Sequence, residues 1–223
     1  MVAAITSVHI QRRSSATLLA ACGSMLAIAM SITASGVALG QIDVGSSIGI
    51  MHLQWVMNGF ILSFAASLLP FGSIVDRFGS RWVFLSGCMV FSLATIVSIC
   101  SGSFLVLMLG RLLQGVGAAQ LAAAGPAALT ALLADDSERK RAFGYLGASG
   151  GIGLTLGAFL SGAVSSWGGW QAAFALHLPF VIVAFVFALS GFQDRREVSA
   201  HRFDFAGTVL SIVCIGAAMT FVP

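Results

Sequence analysis

The sequence carries very little charge. Lys, Arg, Asp and Glu make up 9% of its 223 residues, whereas a typical soluble domain has about 25%. Hydrophobic residues make up 58%, and the mean hydropathy is +0.98. So few charges could not cover a soluble globular protein of this size, and disordered chains need more charge and less apolar content. The composition therefore predicts a protein dissolved in the lipid bilayer.

The sequence also lacks the cysteine spacing of a metal site and the basic patch of a nucleic-acid-binding protein. The four cysteines lie within or at the edge of apolar runs, without the spacing of a zinc site or a disulfide framework. We therefore expect no metal and no cofactor. The net charge of +3 does not indicate nucleic-acid binding, because the basic residues form short separate clusters and not one patch.

Long apolar runs dominate the chain. A spanning helix needs about 20 predominantly apolar residues, and the sequence predicts six of them, at 17–40, 51–71, 82–100, 103–132, 142–166 and 171–192. Further apolar runs follow the first, which is therefore expected to be a retained helix and not a cleaved signal peptide. The prediction is an all-α integral membrane protein: an N-terminal segment at 1–16, a six-helix bundle at 17–192, a loop at 193–204 and an incomplete seventh helix at 205–223.

Basic residues mark one side of this predicted topology. The loops near 41–50, 100–103 and 165–169 contain no Lys or Arg, whereas the alternate loops hold clusters of them. Short cytoplasmic loops carry the excess of Lys and Arg. The pattern predicts a multi-pass plasma-membrane protein with a cytoplasmic N terminus.

A charged turn separates the second and third predicted helices, where residues 72–81 read GSIVDRFGSR. A turn this tight needs a residue that tolerates unusual dihedrals, which Gly79 supplies. Asp76 is placed to complement the positive N-terminal end of the third helix. Arg77 and Arg81 would hold the turn on the basic side. A generic charged turn is the alternative.

The fourth predicted helix carries a charge deep in the bilayer. Arg111 lies about eight residues past the outer helix end, or roughly 12 Å at 1.5 Å per residue. A cation there costs at least ~2.5 kcal/mol and normally faces a bundle interior or a water-filled cavity. The alternative is a side chain that snorkels to the headgroups. Gln114 lies on the same face, and Gly115 and Gly117 allow close helix contact.

The fifth predicted helix is rich in glycine. Two pairs with small-xxx-small spacing favour tight packing against another helix: Gly147 with Gly151, and Gly153 with Gly157. An ordinary contact within the bundle is one explanation of the pairs, and a contact between two copies of the chain is another.

In this order and spacing, the blocks at 72–81, 107–119 and 147–162 resemble the major facilitator superfamily, and most closely its fourteen-helix drug:proton antiporter group. Residues 107–119 match the helix-four signature Arg-x-x-Gln-Gly-x-Gly. The resemblance implies the N-terminal half of a transporter fold and export of an amphiphilic or drug-like compound by alternating access. The implied partners are the lipid bilayer, a small-molecule substrate, a proton, and a second transporter half or a second copy.

The resemblance also assigns roles to individual residues. Five positions in and around the charged turn would form a gate on the cytoplasmic side: Gly72, Asp76, Arg77, Gly79 and Arg81. Five polar positions would face the central cavity or influence coupling: Arg111, Gln114, Ser31, Asn58 and Thr155.

The chain departs from the family pattern in its acidic residues. Ser31 stands where members of the group usually have Asp, and no predicted span contains an acidic residue. His177 and His52 are the remaining candidates for a titrating group in or near the spans. Proton antiport by this half alone is therefore not expected. A truncated or degenerate remnant that does not transport, and a half-transporter that works as a homodimer, stay open as alternatives.

One enzymatic alternative follows from the sequence Gly147-Ala-Ser149-Gly150, which resembles the nucleophile motif of intramembrane serine proteases. Nucleophile and base must come within about 3 Å. The predicted depths of Ser149 and His177 differ by about 8 Å at 1.5 Å per residue. We therefore expect a protein that is not an enzyme and has no catalytic residue.

Overall fold

Six α-helices form the part of the chain that the computed structural model describes. That part is residues 2–45 and 50–192, with side chains described for 13–37 and 54–192. The helices are α1 Val2–Gly45, α2 Ile50–Phe78, α3 Ser80–Ile99, α4 Phe104–Leu132, α5 Asp136–Ala175 and α6 Leu178–Gly191. The predicted loop at 193–204 and the predicted seventh helix at 205–223 lie outside the described residues.

Helices α1 to α5 have at least 20 residues each and are long enough to cross a bilayer, whereas α6 has 14. Helices α1, α2 and α5 extend beyond their predicted ends. α1 has 44 residues, or about 66 Å at 1.5 Å per residue, against a hydrocarbon core of roughly 30 Å. Its membrane-length apolar part is Arg13–Val37, so the predicted N-terminal segment continues the first helix. α2 runs on past the predicted end at residue 71 to Phe78.

A glycine breaks the last long apolar stretch. Five stretches of the described chain are long and apolar enough to span, and the last covers 56 residues, Asp136–Gly191. As one straight helix it would be about 84 Å long. Gly169 interrupts it with φ 67° and ψ −174°. This break falls in the predicted loop at 165–169. α6 then begins beside Pro179, which a first helical turn tolerates because its amide needs no partner there.

The bundle is organised around α1 and α4. α1 packs against α5 and α6, and α4 packs against α2 and α3. Aromatic and small residues fill the main core, among them Phe84, Phe91 and Ala124. Large apolar side chains also cover the outside, as at Leu93 and Phe159. In lipid such a surface carries no desolvation cost, because the surrounding hydrocarbon is equally apolar.

The ends of the bundle differ in charge. We call the end that contains Arg81, Arg139 and Lys140 the basic end. Arg81 Nη2 donates to the carbonyl of Leu189 at 3.4 Å, and Arg139 Nη2 donates to that of Leu133 at 3.0 Å. Both arginines thus satisfy carbonyl groups at helix C-termini, which lack partners within their own helices.

α2 and α3 are joined by a single residue, Gly79. Its φ of 88° and ψ of 149° lie where L side chains are strained. Its amide donates to the carbonyl of Val75 at 2.8 Å, which closes the end of α2. The tight turn predicted at Gly79 is therefore present. The structure shows no side-chain cap on α3, and Asp76 is exposed.

Replacement of Gly79 by alanine is expected to lower the free energy of unfolding by about 1–2 kcal/mol, because a Cβ is strained at positive φ. Gly72→Ala is the matched control: Gly72 lies inside α2 with nothing within 4 Å of an added Cβ. It should be neutral or stabilise the helix by up to ~1 kcal/mol. Denaturation in one detergent measures both variants, and equal stabilities would contradict the expectation.

Candidate functional site

A cluster of polar side chains lies buried where the helices converge. Each member is at most 1% exposed, and we call them the central polar cluster: Ser31, Thr95, Arg111, Gln114 and His177. They come from α1, α3, α4 and the junction between α5 and α6. Burying polar groups without hydrogen bonds costs several kcal/mol in hydrocarbon, so the internal bonds of the cluster decide whether it is tolerated.

Arg111 is the one charged member of the cluster. Its Nη1 donates to Ser31 Oγ at 3.1 Å and also to Gln114 Oε1. The guanidinium carbon lies 4.5 Å from the ring centroid of Phe60 and 5.3 Å from that of Phe174. Cation–π contacts of this kind are worth up to ~2 kcal/mol when desolvated. Within the described side chains, no carboxylate pairs with Arg111, and its Nε has no hydrogen-bond partner.

Gln114 links Arg111 to the other half of the cluster. Its Nε2 donates to Thr95 Oγ1 at 2.7 Å and lies 2.8 Å from His177 Nε2. Thr95 Oγ1 lies 3.1 Å from the same ring nitrogen and donates to the carbonyl of Phe91 at 2.8 Å. The Phe91 ring meets the imidazole edge-on at 5.2 Å. A continuous polar path therefore runs from α1 through α4 to the start of α6.

The glycines that follow Gln114 bring the neighbouring helices close to it. A Cβ on Gly115 would lie 2.5 Å from the carbonyl oxygen of Phe60 on α2. A Cβ on Gly117 would lie 2.6 Å from the amide nitrogen of Phe91 on α3. Real Cβ atoms are not found this close to backbone atoms. The two glycines let α4 approach both neighbours, so that Gln114 reaches Thr95 on α3 and Arg111 reaches the Phe60 ring on α2.

The family of the chain follows from comparison with known proteins. The family profile described as Major Facilitator Superfamily matches residues 17–221. This chain belongs to the major facilitator superfamily. The match covers the three motif blocks and every member of the central polar cluster.

Curated relatives are named for drug resistance. Methylenomycin A resistance protein of Bacillus subtilis (strain 168) is 30% identical over 187 residues, which is 84% of this chain and 40% of the relative. Multidrug resistance protein Stp of Mycobacterium tuberculosis (strain CDC 1551 / Oshkosh) is 32% identical over 181 residues, 81% of this chain and 34% of the relative. Puromycin resistance protein pur8 of Streptomyces alboniger is 31% identical over 84% of this chain and 37% of the relative.

A solved structure shows the same fold. A crystal structure of the peptide transporter POT in complex with sulfate has a TM-score of 0.65 and 16% sequence identity. The similarity covers 94% of this chain and 44% of that chain. The chain thus has the fold of part of a superfamily transporter, and it spans about 34–40% of the length of the three curated relatives.

The structure unites three of the five predicted cavity residues. Arg111 donates to both Ser31 and Gln114, whereas Asn58 and Thr155 are exposed and lie outside the cluster. Thr155 donates to the carbonyl of Gly151 within its own helix at 3.2 Å. The group that faces Arg111 from α1 is thus the neutral hydroxyl of Ser31.

The two glycine pairs of α5 lie on different faces. Cβ atoms on Gly153 and Gly157 would come within 3.0 Å of the α1 backbone, at Leu26 and Met30 respectively. Nothing lies within 4 Å of a Cβ added to Gly147 or Gly151. Gly153 and Gly157 therefore pack α5 against α1. Gly147 and Gly151 lie on an open face of α5, which packs against no other part of the described chain.

The predicted gate residues lie at or near the basic end. Arg81 reaches the end of α6. Arg77 is exposed and its guanidinium carbon lies 5.5 Å from the ring centroid of the adjacent Phe78. Asp76 is exposed, and Gly72 lies inside α2. Their gating role stays a prediction.

The protease arrangement is absent. The hydroxyl of Ser149 donates to the carbonyl of Tyr145 at 2.7 Å, while His177 is engaged by Thr95 and Gln114.

Among the described cysteines, Cys22, Cys88 and Cys100 are free thiols.

Sequence reasoning noted His177 without finding its partners and did not identify Thr95. One signal was available for His177: an ionisable side chain inside a predicted span defaults to a functional hypothesis. Thr95 gave no comparable signal, because threonine commonly bonds to its own helix backbone in membrane proteins. It also does so here, and the same hydroxyl accepts from Gln114.

Proposed function

We propose that this chain is the N-terminal half of a transporter that exports an amphiphilic, drug-like molecule by alternating access. The observation that carries the proposal is the central polar cluster. A buried arginine without a carboxylate partner among the described side chains is expensive in a bilayer. A bundle with only a structural role would be more stable with an apolar residue there, so we infer that the charge is retained for transport.

The substrate class rests on the relatives and on the chemistry around Arg111. The relatives are named for resistance to methylenomycin A, to multiple drugs and to puromycin. Phe60 and Phe174 place aromatic rings beside the cluster. Aromatic surface next to a few polar groups suits small molecules with both an apolar body and a polar group. No enzymatic step is proposed.

The charge distribution supports one orientation. Arg81, Arg139 and Lys140 lie at the basic end, and the junctions near Ser103 and Gly169 have no Lys or Arg. By the positive-inside rule the basic end faces the cytoplasm. We infer a multi-pass protein of the plasma membrane with its N terminus inside. The gate at Gly72, Asp76, Arg77, Gly79 and Arg81 would then close the cytoplasmic side.

The rest of the transport path needs a partner. Superfamily transporters bind substrate between two halves near the bilayer midplane, and this chain corresponds to less than half of the relatives' length. The exposed positions Asn58, Gly147, Gly151 and Thr155 are the surface that we assign to the partner. A second half is the first candidate, and a second copy of this chain is the other.

Flux from liposomes tests the function. Purified chain, alone and joined to any second half that follows it in its reading frame, is reconstituted with an entrapped amphiphilic cationic dye. We expect the assembly that contains both transporter halves, or two copies of this chain, to release dye at least ~10-fold faster than protein-free liposomes. Thr130→Val, which alters an exposed hydroxyl bonded only to its own helix, is the control for a substitution away from the cluster and the partner surface. Absence of flux from both assemblies would overturn the proposal.

Cross-linking distinguishes the two partners. A cysteine at Gly147 in a variant without native cysteines should form disulfide-linked dimers in membranes if two copies meet through the open face of α5. A cysteine at Gly153, which faces α1, is the control and should stay monomeric. Dimers from neither position would exclude the second copy at this face and leave the second half.

A further inference from the structure

The hydrogens of the central polar cluster can be assigned from its acceptors. The guanidinium of Arg111 only donates, so the group of Gln114 that faces it must be the carbonyl Oε1. The amide Nε2 of Gln114 then faces Thr95 and His177 with two hydrogens. Arg111 therefore fixes which way the Gln114 amide points.

The orientation of Gln114 in turn fixes the state of His177. One Nε2 hydrogen of Gln114 goes to Thr95 Oγ1, and the other points at the imidazole Nε2 2.8 Å away. The hydroxyl of Thr95 is occupied as a donor to Phe91. The imidazole Nε2 is thus an acceptor, and the ring is neutral with its proton on Nδ1. That Nδ1 is buried and has no hydrogen-bond partner.

A proton on Nε2 of His177 is incompatible with this arrangement. The imidazolium Nε2–H and the Gln114 amide would both be donors across 2.8 Å. The contact is restored only if the amide rotates by half a turn about its Cγ–Cδ bond, so that Oε1 accepts from the ring. Rotation turns the NH₂ group toward Arg111, which then keeps Ser31 Oγ and loses its Gln114 acceptor.

Among the described side chains, the charged group linked to the ring is Arg111. α4 presents Arg111, which is linked to His177 through Gln114. α3 presents Phe91 and Thr95, and the end of α5 supplies Phe174, three residues before the histidine. No acidic side chain of the described chain faces the ring. Since arginine does not deprotonate in proteins, His177 is the member of the cluster able to exchange a proton.

We propose that His177 is the proton-binding group of this half, and that the Gln114 amide relays its protonation to Arg111. The proposal rests on the transport function proposed above. In the step, His177 Nε2 accepts a proton from hydronium in the opened cavity, which leaves water. The Gln114 amide rotates, and Arg111 is released toward the cavity. Reformation of the cluster reverses the rotation and returns the proton to water.

The direction of coupling follows from the same contacts. In the closed cluster, the Gln114 amide donates to the imidazole Nε2 across 2.8 Å, so that nitrogen cannot also hold a proton. The proton is therefore bound while the cluster is open to water and expelled as it closes. Closure of the half and proton release become one event, which is what exchange of a proton for a substrate requires. The relay thus supplies coupling without the acidic residue that the spans lack.

The tautomer of His177 tests the relay without transport. The protein is labelled with ¹⁵N-histidine and studied by NMR in lipid nanodiscs at neutral pH. It has four histidines, and His177→Gln identifies the relevant signals. We expect an Nδ1–H, Nε2-acceptor ring in the parent. In Gln114→Glu, a carboxylate faces the ring, so Nε2 should become protonated. An Nε2–H ring in the parent, or no change in Gln114→Glu, would overturn the proposal.

Proton-driven flux tests the coupling. Dye efflux is measured from liposomes with and without an inward proton gradient. The gradient should accelerate efflux in the parent, and His177→Gln should reduce this acceleration at least ~10-fold. Thr130→Val, which alters an exposed hydroxyl bonded only to its own helix, should keep the parental acceleration. Undiminished acceleration in His177→Gln would overturn the proposal. If neither the chain alone nor its assembly with a second half carries dye, the proposed function fails, and the tautomer measurement still decides the relay.

Discussion

Arg111→Met is expected to abolish efflux while leaving the helical bundle at least as stable as the parent. Arg111 is 1% exposed and is held by neutral acceptors and two rings. Replacing a buried charge by an apolar side chain of similar length is often neutral or stabilising by 1–4 kcal/mol. The loss of one donor to Gln114 Oε1 costs about 1–3 kcal/mol in the opposite direction. The two effects roughly cancel for stability, but the charge is lost for transport.

Gln114→Leu is the matched variant, and it should affect stability and not only transport, because it keeps the buried charge and removes one of its acceptors. It leaves the guanidinium buried with Ser31 as its remaining acceptor, and it also removes the donor to Thr95 and His177. An unsatisfied buried charged group costs more than the 1–3 kcal/mol of a neutral one. We therefore expect Gln114→Leu to lower the free energy of unfolding by about 3–5 kcal/mol relative to Arg111→Met.

Both variants are measured by unfolding in the same detergent and by dye efflux from liposomes. We expect efflux of Arg111→Met to fall at least ~100-fold, which corresponds to about 2.7 kcal/mol in the barrier. A strongly destabilised Arg111→Met, with Gln114→Leu close to the parent, would show that the charge stabilises the bundle. The functional argument from its cost would then be wrong.

Gly117→Ala is expected to destabilise the bundle by about 3 kcal/mol. The added Cβ would lie 2.6 Å from the amide nitrogen and 2.9 Å from the Cα of Phe91. Both atoms belong to the backbone of α3, so the clash cannot be relieved by a side-chain rotation. Overpacking of this kind typically costs 1–3 kcal/mol and occasionally more. The contact between α3 and α4 must open, and the bond between Gln114 and Thr95 must lengthen.

Gly150→Ala provides the comparison for Gly117→Ala. It makes the same chemical change within a helix, at a position with nothing within 4 Å of the added Cβ. It should be neutral or stabilise the helix by up to ~1 kcal/mol. Unfolding of the two proteins under identical conditions measures the difference. If Gly117→Ala were as stable as Gly150→Ala, the close approach of α3 and α4 would not be needed for folding.

Much of the fold was predictable because lipid imposes strict rules on sequence. Composition alone indicated an all-α membrane protein, since spanning backbone must satisfy its hydrogen bonds within helices. The turn at Gly79 was predicted because glycine allows unusual dihedrals. The break near Gly169 was predicted as a loop from the lengths of the apolar runs. The C-terminal extension of α2 from residue 71 to Phe78 was not predicted. Its residues include charged side chains, which can continue a helix beyond the bilayer without a run of apolar residues to indicate it.

The candidate site was predictable only in part. Arg111 and Gln114 stood out because a charge and its neighbour in a span are costly and because they belong to a specific signature. Among the glycines at 147–157, two pairs have the same small-xxx-small spacing, but the two pairs have different surroundings in the structure. Gly153 faces α1 and Gly147 faces open space. Spacing along one helix does not specify which neighbour a face meets.

By itself the sequence determined that this protein lies in a bilayer, that its spans are α-helices, and that a cation lies within the fourth span. These follow from local composition and from the cost of polar groups in lipid. Only the tertiary structure decided that Ser31, Thr95 and His177 meet that cation's network. They lie 80 residues before, 16 before and 66 after Arg111 in the chain. Hydrogen bonds over such separations depend on how helices pack, which no local pattern encodes.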